Sequence, residues 1–374
     1  MTTLSRRGAL MLPLGLTAFT TACVQPSPGM MMPADPSGRA DPEQRALLET
    51  LARLNPRPIE TLSAAEARRQ PSYATAVRAR ALELANNNPQ RVIGSQEDIT
   101  LSTVPAPLMA RLYRPIPAHN RPLPLIVYFH GGGWVIADID TYDASARALC
   151  VESEAIVLSV HYRQGPEFRF PTAHDDANVA YVWAARNAAS LGADPGRIAI
   201  AGESAGGNLA LNAAIYARDM RLPMPRAVAS IYPVAGVDLN TPSYQQFANA
   251  KPLNKAMIEW FVRNYTRGPQ DLQDPRLDLI GRADLAGLPP VILVNAEIDP
   301  LQSDGARLAD KLRGAGVAVN HMVYPGVTHE FFGADAVLTK AKQAQAFVGG
   351  ELRKAFAAQA APAAARPMRR RPAM

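Results

Sequence analysis

From Leu123 onward six short apolar runs, Pro124–Phe129, Ala155–Val160, Ile198–Ala201, Ala227–Tyr232, Val291–Asn295 and Val317–Tyr324, alternate with stretches of helical pattern. Runs that are apolar on both faces need cover on both sides, and intervening helices supply it. The pattern therefore predicts a mostly parallel sheet with helices on both faces. Upstream, Asp98–Ser102 and Met109–Arg114 read as a hairpin-like opening pair. Hydrophobic residues make up 48% of the 374-residue chain and charged ones 19%, enough for one sizeable core with attachments, and no internal repeat is visible.

Two of the turns that follow these runs carry chemistry. His130-Gly131-Gly132-Gly133 ends the first, and Gly202-Glu203-Ser204-Ala205-Gly206 ends the third and leads into Gly207–Tyr216, which is rich in helix formers. The second motif fits Gly-x-Ser-x-Gly, where flanking glycines let the chain turn sharply from strand to helix and project a strained serine. Ser204 is the candidate nucleophile. The glycines of the first motif, lacking side chains, leave backbone N–H groups accessible to a developing oxyanion. Together the two motifs give both halves of an acyl-transfer site, and the pair is far more specific than either alone.

Such a serine needs a base and an orienting carboxylate, and in this elbow they follow in the order serine, acid, histidine. Of six histidines, only His321 and His329 come after Ser204. His321 falls on the face of the last apolar run, with Val317, Val319 and Val323, and reads as a strand residue. His329 lies in the loop beyond it and is the candidate base. The acid is expected just past Val291–Asn295, where Asp299 is preferred over Glu297 and over Asp304, which reads as a first-turn acid of the next helix.

These motifs, with Tyr162-Arg163-Gln164-Gly165-Pro166-Glu167, Asp299-Pro300-Leu301 and His329-Glu330-Phe331, resemble those of the hormone-sensitive-lipase family (bacterial family IV type) of α/β-hydrolase esterases, from about Asp98 to about Lys354. The resemblance implies an α/β-hydrolase core with a small helical N-terminal cap. It also implies an oxyanion hole of the Gly132, Gly133 and Ala205 N–H groups, with Gly131 shaping the turn. Glu203 departs from the family's usual Asp or Thr. The expected activity is a cofactor-free serine carboxylesterase acting on small, short-chain acyl esters. An amidase or peptidase using the same machinery and a non-catalytic ligand-binding relative are the alternatives.

Several segments are assigned around that core. Asp41–Leu51 and Ala64–Ala85 read as cap helices, and Met257–Phe261 as a helix that is either core or a second cap wall. Trp134 and Phe331 are read either as walls of the acyl or alcohol pocket or as core aromatics. Cys150 reads as a buried structural thiol. The net charge of +6 equals the six arginines at the two ends, Arg6, Arg7, Arg366, Arg369, Arg370 and Arg371. The neutral body argues against a nucleic-acid groove. No metal set, dinucleotide loop or phosphate cradle is recognisable.

Ser5-Arg6-Arg7, the apolar run Ala9–Phe19 and Ala22-Cys23 form an export-signal pattern. The adjacent arginines favour the twin-arginine route, and Cys23 is a candidate lipidation site, with ordinary cleavage and an uncleaved anchor as alternatives. The expected organisation is 1–23 signal, 24–41 Pro/Met-rich tether, 42–95 helical cap segment, 96–356 catalytic domain and 357–374 Ala/Pro/Arg-rich disordered tail. A periplasmic or membrane-anchored lipoprotein follows from it. Oligomeric state is not legible.

Overall fold

An eight-stranded sheet in the order β1-β2-β4-β3-β5-β6-β7-β8 organises the computed structural model. The model describes residues 34–86, 90–116 and 121–358, so the export signal, Cys23 and the arginine-rich tail lie outside the described residues. β1 (Ser95–Leu101) and β2 (Leu108–Arg114) pair antiparallel, and β2 pairs antiparallel with β4 (Ile156–His161). β3 (Leu123–Phe129), β5 (Ala193–Glu203), β6 (Val228–Ile231), β7 (Val291–Ile298) and β8 (Val319–Thr328) complete a parallel array with β4. This is the α/β-hydrolase architecture.

The two faces are covered as the apolar runs demand. Tyr128, Ile126 and Val294 bury into one core, while Val127, Phe129 and Leu293 bury into the other, because successive strand residues point to opposite faces. The helices α5 (Thr172–Asn187) and α6 (Ala205–Asp219) lie in the core of Val127, Phe129 and Leu293, through Ala177 and Ala180 and through Leu209, Ala213 and Ala217. The helices α4 (Asp143–Ser153) and α10 (Thr339–Ala357) close the core of Tyr128, Ile126 and Val294 through Leu149, Val348 and Leu352. Cys150, in α4, is buried and free, and burial pushes its thiol up to about 12. No described helix is long and apolar enough to cross a membrane.

Before the sheet, α1 (Pro42–Arg53) is capped by Asp41, whose side chain accepts from the Gln44 N–H. The helix expected over Ala64–Ala85 is two helices, α2 (Ala64–Ala67) and α3 (Tyr73–Glu83). Pro71 accounts for the break: it disfavours helical backbone at Gln70 and donates no N–H, and Ser72 then starts α3 with a capping box closed by Thr75. A later insert carries α7 (Pro242–Gln246) and α8 (Lys255–Tyr265). α8 is tied to the N-terminal segment by the Trp260 indole, which donates to the Leu62 carbonyl at 3.0 Å.

Candidate active site

The elbow forms where β5 gives way directly to α6. Ser204, between them, adopts φ 55° and ψ −117°, a conformation that side chains avoid, and its N–H is anchored to the Ile231 carbonyl at 2.8 Å. The glycine two residues on is required by close approach: a Cβ on Gly206 would stand 2.0 Å from the Phe129 carbonyl oxygen. The N-terminus of α6 therefore abuts the end of β3, and the Ala205 N–H begins the helix with its positive dipole end toward the serine.

Immediately past β3, the glycine run turns. Gly132 and Gly133 have φ of 96° and 59°, the left-handed region that glycine enters freely. The Gly132 carbonyl accepts from the N–H groups of Val135 and Ile136, closing the turn. The N–H groups of Gly132, Gly133 and Ala205 have no acceptor among the described residues, so three donors remain unspent around the serine. His130 faces away from this space. It stacks on Tyr162 at 4.4 Å between ring centroids, contacts His161 through its ring nitrogen at 3.2 Å, and is held near pKa 3, hence neutral, chiefly by burial.

Asp299 follows β7 and His329 follows β8, both buried. Asp299 accepts the Leu301 N–H at 2.9 Å on one oxygen and meets His329 Nδ1 at 2.7 Å on the other. Burial alone would push the imidazole pKa down, but the Asp299 charge and hydrogen bond, with Glu330 and Glu203 behind them, carry it above its ordinary value. Ser204 and His329 border one cavity, though no hydrogen bond joins them in this structure. The competing groups sit elsewhere. His321 bonds Asn295 at 2.9 Å on β8, and Glu297 accepts the Gly326 N–H at 2.7 Å. Asp304 lies in the first turn of α9 (Gln302–Gly314), where it accepts the Gly236 N–H at 2.9 Å.

The cavity has a volume of about 220 Å³ and is floored by Gly132, Gly133, Ser204 and His329. One wall is Met257 and Phe261 of α8, and another is Ile59, Ala67 and Tyr73 from the N-terminal segment, with Lys251 and Arg57 among its charged lining groups. Neither Trp134 nor Phe331 lines it, so the pocket-wall reading of both is corrected. Trp134 stacks on Tyr265 at 4.9 Å, and Phe331 packs against Tyr232 and Tyr324. No group of metal-ligating side chains occurs among the described residues.

The family model described as alpha/beta hydrolase fold matches residues 126–333, more than half of the chain. The carboxylesterase NlhH of Mycobacterium tuberculosis is 42% identical over 238 residues, 63% of this chain and 74% of that protein. This chain belongs to the alpha/beta hydrolases of the hormone-sensitive-lipase type. Another family relative, an ethyl acetate hydrolase of Pseudomonas putida, is 35% identical over 290 residues, covering 76% of this chain and 88% of its own. Among solved alpha/beta hydrolases, the hyperthermophilic esterase from Pyrobaculum calidifontis superposes with a TM-score of 0.76 at 34% identity, over 84% of this chain and 98% of that one.

In this alpha/beta hydrolase the glycine turn is clamped from outside by residues that motif reading did not assign a task. The Tyr162 hydroxyl donates to the carbonyls of His130 at 2.9 Å and Gly131 at 3.2 Å, and the Gln164 amide donates to those of Ile136 and Ala137 at 2.8 and 2.9 Å. Arg68, at the end of α2, donates to the Val135 and Gly165 carbonyls at 2.9 and 2.7 Å and forks onto Glu167 at 2.8 and 2.7 Å. The motif Tyr162–Glu167 is thus the backing plate of the turn. Its recurrence in the family pattern was the available signal.

Proposed function

We propose that this carboxylic ester hydrolase cleaves small, short-chain acyl esters by an acyl-enzyme route with Ser204 as nucleophile, His329 as base and Asp299 as its orienting carboxylate. The observation that carries the reading is the 2.7 Å bond between His329 and the buried Asp299, on the same cavity floor as a serine held at φ 55°. In the proposed sequence His329 Nε2 takes the Ser204 proton as Oγ attacks the ester carbonyl. The N–H groups of Gly132, Gly133 and Ala205 receive the oxyanion, each donor contributing on the order of a hundredfold or more in rate. His329 returns the proton to the departing alcohol, and water, deprotonated in turn by His329, releases the acid. Asp299 fixes the tautomer and balances the transient imidazolium.

Short acyl groups are favoured because the cavity, at about 220 Å³, is smaller than the ~300–1,000 Å³ of pockets that take drug-sized ligands. The test is p-nitrophenol release from an ester series, acetate to palmitate, by the wild type and Ser204→Ala. The expected result is a maximum at short chains and a loss of at least about a thousandfold in the variant. Near-wild-type hydrolysis by Ser204→Ala would overturn the assignment. We also propose export, with a lipid anchor on Cys23, from the Arg6-Arg7 pair, the apolar run and the Ala22-Cys23 junction; Cys23→Ser should then release the protein from membrane fractions.

A further inference from the structure

The residue in front of the serine is a buried acid with no cation beside it. Glu203 is fully buried at the end of β5. Each of its carboxylate oxygens is taken by a tyrosine: Tyr128 of β3 donates to one at 2.6 Å, and Tyr232, just past β6, donates to the other. Tyr232 in turn lies against His329, with ring centroids 4.5 Å apart. Glu330, next to the histidine in the chain, accepts from Tyr142 at 2.6 Å. No lysine or arginine among the described residues pairs with either carboxylate.

Two features say that this arrangement serves the site rather than the fold. A buried carboxylate without a cation is unfavourable for stability, and an apolar side chain of similar size would fill the space without that cost. In addition, three non-glycine residues around the imidazole hold left-handed backbone: Ser204 at φ 55°, Tyr232 at 34° and Glu330 at 71°. Such conformations persist only where their surroundings over-determine them, and they gather at functional sites. For Tyr232 the determining contacts are its N–H bond to the Val294 carbonyl and its hydroxyl bond to Glu203.

We propose that Glu203, acting through Tyr232, is a positioning residue for His329, pinning the aromatic ring against which the imidazole rests and supplying negative charge behind it when it becomes cationic. Asp299 holds the imidazole at Nδ1, and Tyr232, tethered by Glu203, packs against the ring at an interplanar angle of 50°. The groups that bear on the histidine charge are Asp299, Glu330 and Glu203, with Tyr142 and Tyr232 neutral between them and Lys251 and Arg57 lining the same cavity. Burial pushes the Glu203 carboxyl up to about 7 even though the tyrosine hydroxyls pull it down, so it is mostly ionised at pH 8.

This inference rests on His329 being the base, and its test separates the two. Glu203→Gln keeps the size and one acceptor but removes the charge; Tyr232→Phe keeps the charge and cuts the link. In both, kcat for p-nitrophenyl butyrate at pH 8 should fall on the order of tenfold, short of the ~hundredfold of a 1 Å misplacement, with KM within about twofold. In Glu203→Gln the acid limb of kcat/KM should also move to lower pH, since the imidazolium loses an anionic neighbour. Folded variants with the wild-type kcat and acid limb would overturn the proposal, as would a rise in KM at constant kcat. Should Glu203→Gln fail to fold, Tyr232→Phe decides by its kcat. If Ser204→Ala remains active the reading of the site falls; if it is dead and both variants behave as wild type, only this inference does.

Discussion

Gly133 stands where the proposed oxyanion hole meets the wall of the cavity, and replacing it by alanine tests both. A Cβ there would lie 2.2 Å from Cγ and 2.3 Å from Cδ1 of Phe261, and the residue has φ 59°. To reach ordinary contact at 3.4 Å the ring or the turn must shift by about 1.2 Å, and a displacement of about 1 Å near reacting groups costs roughly a hundredfold in rate. Both sides are held, α8 by the Asn254 cap and the Trp260 bond to Leu62 and the turn by Tyr162, Gln164 and Arg68. Cγ is the root of the ring, so turning the ring alone does not relieve the overlap and part of the shift falls on the turn. That share of the shift should carry the Gly133 N–H off target. Left-handed backbone adds about 1–2 kcal/mol for an alanine, and overpacking about 1–3 kcal/mol. Gly133→Ala should thus lose about 2–5 kcal/mol of stability by urea unfolding and about a hundredfold in kcat on p-nitrophenyl butyrate. Phe261→Ala alone should cost about 3 kcal/mol, the low end for a buried phenylalanine, because the ring borders a cavity. In the double variant the overlap is gone and only the backbone strain remains. Its stability loss should fall short of the two single losses added together by about 1–3 kcal/mol, and kcat should recover toward that of Phe261→Ala. Strict additivity, or a Gly133→Ala enzyme within threefold of wild type, would refute the reasoning.

Two further outcomes follow from the buried carboxylates. Asp299→Asn removes the charge that holds His329 above its ordinary pKa of 6.5 and presents an amide donor to Nδ1, favouring the wrong tautomer. The variant should lose about 10⁴-fold in kcat, and the acid limb of kcat/KM should move to lower pH than in the wild type; a folded variant with an unmoved limb would count against the pairing. Asp304 is buried, and desolvation raises it from 3.8 to about 7 despite the N–H groups of Gly236 and Ala235. The folded state therefore binds this proton more tightly than the unfolded one. The stabilisation is complete below about pH 4 and is lost as pH rises through about 7. Asp304→Asn should gain on the wild type by a few kcal/mol between those limits in urea unfolding, and an equal pH slope in the two proteins would exclude the effect.

The central strands and the elbow were legible because their signals are local. A strand apolar on both faces can lie only inside a covered sheet, and a serine between Gly202 and Gly206 has few other reasons to follow one. The approach of Asp299 to His329 was legible from order and elimination, since each sits just beyond one of two neighbouring parallel strands. What escaped reading is set by contacts between distant segments. Nothing near Arg68 in the chain says that its guanidinium reaches Glu167 and the Val135 carbonyl. The helix break at Pro71 was locally written, but the apolar pattern on either side outweighed it. Trp134 and Phe331 show the opposite limit: their neighbours place them beside the site, but only backbone direction says which way a ring faces, and both turn into the core.

His329 hangs from the end of β8, which pairs with β7 alone and leaves Met322 and Val323 partly exposed on its outer edge. An edge strand is where a sheet opens by sub-global fluctuation, well below the free energy of complete unfolding. The Asp41 N–H bond to the Gly326 carbonyl at 2.9 Å and the packing of Tyr324 and Val327 help keep this strand shut at the end that carries His329. The N-terminal segment therefore acts as a latch as well as a wall. The local opening of β8, monitored by amide exchange, rather than the melting of the sheet, should set how long the enzyme keeps its competence on warming.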